Sequence, residues 1–212
     1  MKGVSLIIPQ IDSLLTRDKI VAELRREILY GSLKPHQELY QDKIAEELNV
    51  SRMPVREALQ ILANEGLVHV RPNKVATVNE ISGKFLKDFF EIRLLLEKEA
   101  ICRICKREID PAPLWEYYEL AEKAIQFNDF SRFNTYNGMI HQFIWHGADN
   151  IKLEQLLSQL WHTMNVDNYA KESAIQSNIE HKIIIQSIID HDEKTGCETI
   201  ANHLNRSYEG MM

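Results

Sequence analysis

The sequence predicts a mainly α protein in two parts, residues 1–78 and residues 79–212. Three observations carry that reading. Helical periodicity runs from residue 14 to residue 64 and then gives way to two short β-branched segments. From Ile81 onward, six consecutive segments repeat apolar residues at helical spacing, with no strand pattern between them. Charge divides at the same place: residues 1–78 hold 11 basic against 10 acidic side chains, and residues 79–212 hold 14 against 21.

The first helix is expected over 14–30, where Ile20, Leu24 and Ile28 recur every four residues and Val21 and Leu29 widen the stripe. Gly31 is a good stop, and Pro35 follows in the loop. A short helix over 41–48 turns Ile44, Ala45 and Leu48 inward, and Asn49-Val50 makes the turn. The third helix runs over 52–64 with Val55, Leu59 and Leu62 buried. Ser51 stands at its N-cap position, and Pro54 falls in the first turn, where a missing N–H does no harm. Gly66 ends it. Then LVHVRP and KVATV, separated around Pro72-Asn73, read as a two-stranded hairpin. Three helices and a hairpin in that order make a winged helix-turn-helix.

The second part reads as helices over 82–107, 112–127, 129–148, 151–171, 174–190 and 194–208. Turn residues such as Asp110-Pro111, Asn128-Asp129 and Asp149-Asn150 separate them. About six helices of that length form an antiparallel bundle with room for an internal site.

Composition is that of a globular chain, with 44% hydrophobic and 26% charged residues, and no apolar run approaches the ~20 residues of a membrane helix. The opening MKGVSLIIPQIDSLL is interrupted by Pro9 and Asp12 and makes a poor signal peptide, so the expected location is cytoplasmic. The C-x-x-C of Cys102 and Cys105 lies inside a helical pattern, and with Cys197 these thiols suggest no disulfide framework.

Two short helices joined by a tight turn present the N-terminus of the second to the DNA major groove. Here that N-terminus is Ser51-Arg52-Met53-Pro54-Val55-Arg56-Glu57. Arg52 and Arg56 share a face, while Val55 and Leu59 point to the core. Each arginine can meet guanine O6 and N7 at two points, clamp a phosphate, or pair with Glu57 on a charged surface. The net charge of −6 does not exclude a DNA partner, because phosphate contacts are local and the acidity belongs to the second part.

The run Leu24-Arg25, Gly31-x-Leu33-x-Pro35, Ile44-Ala45, Val50-Ser51-Arg52-x-Pro54-Val55-Arg56-Glu57-Ala58-Leu59 and Glu65-Gly66-Leu67-Val68 closely resembles the N-terminal domain of the GntR family of bacterial regulators. The resemblance implies that Arg52 and Arg56, with Ser51 beside them, contact an operator, and that Lys74 on the wing assists from the minor groove. Two positions depart from the family pattern: His36 stands where Gly follows the proline, and Pro72-Asn73-Lys74 replaces a Gly-rich wing tip.

Beyond residue 79, Asp88, Glu91-x-Arg93, Leu96-Glu97, Ile140-His141, Ala148-x-Asn150, Glu180-His181 and His203 resemble the helical ligand-binding domain of the FadR branch. Imidazoles from separate helices can converge on a divalent metal. The resemblance implies a zinc or nickel site of His141, His181 and His203, with Asn137 in the place of the family's Asp and Ile140 in that of its Phe. It further implies a carboxylate effector met by the metal or by Arg93, although Arg93 and Glu97 also have the spacing of a helix-face ion pair. The other histidines, His36, His69, His146, His162 and His191, have no partners at ligand spacing.

The expected molecule is a homodimer that reads a short inverted-repeat operator in double-stranded DNA and answers to a small organic acid. Two readings compete with it. The bundle could serve dimerisation alone, with Asn137 marking a degenerate site. A metal-dependent hydrolase is disfavoured, because H-E-x-x-H is absent and no general base stands at a recognisable spacing from the histidines.

Overall fold

A computed structural model of the chain describes residues 9–72, 75–164 and 171–210. It divides into two compact units, Met1–Ser82 and Gly83–Met212.

In the first unit, α1 (Pro9–Leu29) buries Ile20, Val21 and Ile28. It extends further toward the N-terminus than the apolar stripe expected over 14–30. Gly31, at φ +72°, turns the chain out of the helix. Strand β1 (Glu38–Tyr40) comes next, a strand the sequence pattern does not predict. It is three residues long with only Leu39 inward, too short for an alternation to register. Helices α2 (Gln41–Glu47) and α3 (Arg52–Asn64) follow. Val55, Ala58, Leu59 and Leu62 of α3 are fully buried. Ser51 holds the N-cap position with extended backbone but makes no side-chain cap bond. Pro54 explains part of this, since it occupies the third helical position, one of the two whose N–H an N-cap side chain usually takes. Strands β2 (Val68–Val70) and β3 (Val75–Val78) form the wing. The sheet order is β1-β3-β2, antiparallel throughout, so the expected β2–β3 hairpin is present and its strand β3 is the centre of a three-stranded sheet completed by β1. The wing-tip residues Asn73 and Lys74 lie outside the described residues.

His36 has φ +66°, and its N–H donates to the Val78 carbonyl at 2.8 Å, tying the loop before β1 to β3. A left-handed backbone there explains why the family pattern carries glycine. His36 is exposed, and a side chain in that region costs ~1–2 kcal/mol. His36→Gly is therefore expected to stabilise the first unit by ~1 kcal/mol, part of the relief being offset by the greater freedom of glycine when unfolded. A lower midpoint in chemical denaturation would refute the assignment.

The second unit consists, among the described residues, of six helices: α4 (Gly83–Ile104), α5 (Ala112–Gln126), α6 (Phe130–Gly147), α7 (Ile151–Met164), α8 (Lys171–Ile189) and α9 (Glu193–Glu209). The expected run of α7 to 171 crosses residues 165–170, which lie outside the description, and its last residue is a correction: Lys171 opens α8, three residues before the start expected at 174. Turns sit where the sequence places them. Asn128 and Asp149 take positive φ, and Asp129 and Asp192 cap α6 and α9 by accepting the backbone N–H of Arg132 and Thr195. Trp145, Ile101, Ile104, Ile140, Ile144 and Leu157 are almost wholly buried and form the centre of one core. Cys102 and Cys105 occupy ordinary positions on α4, and the Cys102 thiol lies 3.2 Å from that of Cys197 on α9.

Candidate functional site

In the first unit, α2, α3 and the sheet enclose a groove of about 740 Å³ lined by Tyr40, Lys43, Arg52, Met53, Arg56 and Val75. Arg52 and Arg56 stand exposed on the N-terminal turns of α3, with the buried Val55 and Leu59 fixing the helix behind them. Arg52 pairs not with Glu57 but with Asp42 on α2, Nε to Oδ1 at 2.8 Å. Both side chains are largely exposed, so that pair is worth at most ~1 kcal/mol and is readily exchanged for a phosphate or base. The Arg56 guanidinium rests 3.2 Å from Met53 Sδ. Tyr40 and Lys43 were not singled out in the sequence, yet they face the same groove, with the Lys43 ammonium 5.1 Å from the Tyr40 ring centre. Lys43 lies at the start of the first helix of the motif, the helix that crosses the DNA backbone in such folds.

In the second unit, His141 on α6, His181 on α8 and His203 on α9 converge, with their candidate ligand atoms all within 4.8 Å of one another. All three are buried. Neither ring nitrogen of His181 has a hydrogen-bond partner in the protein, and His141 has only the long approach of its Nδ1 to Glu97 at 3.5 Å. Burying unpaired imidazole nitrogens is costly, so a cluster of them is a physical argument for an electron-pair acceptor. Burial first, then the neighbouring imidazoles, push the His181 pKa well below its usual range. Burial likewise takes His203 down to about 4, against the opposing pull of Glu180. Both rings are neutral at neutral pH, the form that ligates. Three buried imidazoles converging from three helices fit a divalent transition metal, and zinc or nickel bound there would supply an electrophilic centre for an anionic ligand.

The surrounding residues orient this set. Glu180 Oε2 accepts from His203 Nδ1 at 2.8 Å, which leaves the Nε2 lone pair of a neutral ring for a metal. Arg206 clamps Glu180 at 3.1 and 2.7 Å and also donates to Ser173 and Ser177. Burial alone would raise both carboxyls, but Glu180, bonded to His203 and Arg206, is held at about 2. Glu97 is held at about 2 by His141, Arg93 and the Trp145 indole. Asn137 lies buried one helical turn before His141 on α6. Arg93 is buried too: its guanidinium lies 5.0 Å from the Trp161 ring centre and makes long bonds of 3.4 Å to Glu97. The same Glu97 oxygen is 3.5 Å from His141 Nδ1, and Trp145 donates to its other oxygen at 2.8 Å. The expected Arg93–Glu97 pair thus exists, and it adjoins the triad. Arg206, Trp145 and Trp161 were not legible as site residues; the spacing of Arg206 three residues after His203 was the available signal.

Because Glu180 supplies the charge that orients His203, Glu180→Gln is expected to weaken zinc binding ~10-fold and Glu180→Ala up to ~100-fold. Competition with a chromophoric chelator measures this, and unchanged affinity in both variants would remove Glu180 from the site.

A winged helix-turn-helix joined to a helical unit with a buried histidine cluster defines a DNA-binding transcription regulator rather than an enzyme. The chain belongs to the GntR family of bacterial regulatory proteins, in its FadR-like branch: the family model for bacterial regulatory proteins of the gntR family matches residues 16–78, and that for the FCD domain matches residues 88–206. McbR, an HTH-type transcriptional regulator of Escherichia coli, is 28% identical over 183 residues, covering 82% of each chain. The gluconate operon transcriptional repressor of Bacillus subtilis is 30% identical over 144 residues, which span 67% of this chain and 59% of that protein. The solved structure of E. coli McbR/YncC superposes with a TM-score of 0.73 at 22% identity, covering 92% of this chain and 96% of that one. No described helix is long and apolar enough to cross a membrane.

Proposed function

We propose that this protein is a cytoplasmic repressor, active as a homodimer on an inverted-repeat operator, whose DNA affinity is set by a small organic acid. The acid binds in the helical domain, residues 79–212, at or beside a metal held by His141, His181, His203 and Asn137. Its carboxylate is met by Arg93. Residues 1–78 read the DNA through Arg52 and Arg56, with Ser51 and Lys74 assisting. The observation that carries the sensing half is the chain Arg93–Glu97–His141, which places a buried cation next to three buried imidazoles. The naming of the gluconate operon relative as a repressor supports the direction of control. An effector acts only by favouring one arrangement of the dimer over another, so ligand and DNA affinities are coupled reciprocally.

The test is selection of genomic fragments by the purified protein at near-physiological salt, with and without zinc or nickel, followed by a panel of organic acids against the selected site. Enrichment of an inverted repeat released by one acid establishes the reading. No enriched motif under any condition would overturn it. A motif indifferent to metals and acids would instead favour a bundle that only dimerises, the reading that Asn137 supports.

A further inference from the structure

Cysteines too few for a framework of bridges still meet in space. Cys102 on α4 and Cys197 on α9 stand 95 residues apart in the chain, yet their sulfurs lie 3.2 Å from each other. Both side chains are half-buried, and both are free thiols. The helices beneath them are held as closely as the sulfurs. Gly196, the residue before Cys197, leaves no room for a side chain: a Cβ there would meet Ile101, the residue before Cys102, and Ser187 of α8, each at 2.7 Å. The Cys197 thiol also donates to the Lys98 carbonyl of α4 at 3.6 Å. Cys105, one turn further along α4, is engaged elsewhere, since its buried thiol donates to the Ser187 carbonyl at 3.8 Å.

We propose that Cys102 and Cys197 are a dithiol switch, which hydrogen peroxide oxidises to a disulfide that staples α4 to α9. In a reducing compartment such pairs rest as thiols and close only transiently. A disulfide sets its sulfurs about 2.05 Å apart, so closing this pair takes a shift of roughly 1.2 Å, within reach of side-chain rotation and a small adjustment of either helix. In the first step Cys102 attacks one peroxide oxygen and the O–O bond breaks. The far oxygen leaves as water, and the near one stays on Cys102 as a sulfenic acid. Cys197 Sγ then attacks Cys102 Sγ, the S–O bond breaks, and the second oxygen leaves as water with the Cys197 proton. Two thiols thus give up two electrons and two protons, and one peroxide becomes two waters. Burial, then the contact with Cys102, pushes the Cys197 thiol up to about 12, and burial pushes Cys105 up to about 11. Both stay protonated and are poor first attackers, which assigns the first step to Cys102. Proximity compensates in the second step, because Cys197 already touches the sulfur it must attack. The bond would fall close to the histidine cluster. Cys102 lies five residues after Glu97 on α4, and Cys197 six residues before His203 on α9. The staple therefore ties the helix of Arg93 and Glu97 to the helix of His203 and Arg206.

The test treats the reduced full-length protein with hydrogen peroxide, blocks the remaining thiols by alkylation and maps bridges by mass spectrometry of a non-reducing digest. The expected product is an intramolecular Cys102–Cys197 bridge that dithiothreitol reverses. Because the bridge closes a long loop in the native packing, the oxidised protein is expected to melt roughly 5–15 °C above the reduced form. Cys102→Ser and Cys197→Ser should each abolish that rise, and Cys105→Ala should keep it, with circular dichroism reporting retained helix. The wild-type map decides the pairing even where a variant fails to fold. Thiols that stay free, a Cys102–Cys105 bridge, a covalent dimer, or sulfinic acid without a bridge would each overturn the assignment. So would a bridged protein that melts no higher than the reduced one, since the bond would then oppose the native packing.

Discussion

Removing Arg52 and Arg56 together is expected to lower affinity for the selected operator by roughly 10²–10⁴-fold, each arginine contributing ~1–3 kcal/mol. The placement of the two side chains supports that size of effect. Both project from the first turns of α3 into a groove they share with Lys43 and Tyr40, and both are exposed. Neither is needed for folding, because the residues that seat α3 are Val55, Ala58, Leu59 and Leu62 behind them. Arg52→Ala also leaves Asp42 without its counter-charge, adding repulsion toward phosphate. The single variants separate two kinds of contact. Loss of a guanine contact relaxes the sequence preference at one position, whereas loss of a phosphate contact weakens all sequences alike and lowers the salt slope by ~1. Lys43→Ala is expected to behave in the second way. If fluorescence anisotropy gives the double variant wild-type affinity and an unchanged denaturation midpoint, DNA is read elsewhere on the molecule.

The fold was legible wherever a local rule set it. Helix α3 announced itself through buried residues at helical spacing, and the turns of the bundle through Asn128 and Asp149, which take the positive φ that asparagine and aspartate tolerate best. Strand β1 was not legible, because a three-residue strand carries one inward side chain and owes its existence to β3, far along the chain. The site was less accessible still. Periodicity could not distinguish His141, His181 and His203 from the other five histidines; only the resemblance did. Glu180 and His181 are neighbours in sequence but point about 100° apart around α8, so that Glu180 orients His203 on a different helix. No spacing within one element encodes such a contact. The role of Glu97 was hidden for the same reason: its i,i+4 relation to Arg93 was visible, whereas its approaches to His141 and Trp145 depend on how α4 meets α6.

Zinc or nickel at about 100 times its dissociation constant is expected to stabilise the protein by ~2.7 kcal/mol, a rise of roughly 10 °C in the melting of the helical unit. His181→Leu should abolish the rise, because it removes a ligand whose nitrogens have no other partner in the protein. Asn137→Asp should tighten metal binding by ~10-fold or more, since a carboxylate brings a full charge to the ion where an amide brings a neutral oxygen. The pH dependence has a defined sign. His203 sits at about 4 and His181 is also depressed, while their unfolded counterparts titrate near 6.5. Between those values the unfolded chain binds protons that the folded chain refuses, so the metal-free protein loses stability as pH falls from ~6.5 toward ~4. Glu97 and Glu180, each held at about 2, add a further loss as pH drops below ~4.5. Protons compete with the metal for the same nitrogens, so the metal-bound protein should show the steeper decline over the upper range. Differential scanning fluorimetry from pH 4.5 to 8, with and without metal, measures both slopes. Parallel curves at every pH, with no metal-dependent separation, would mean that the three buried histidines are packing residues and that control of DNA binding lies elsewhere.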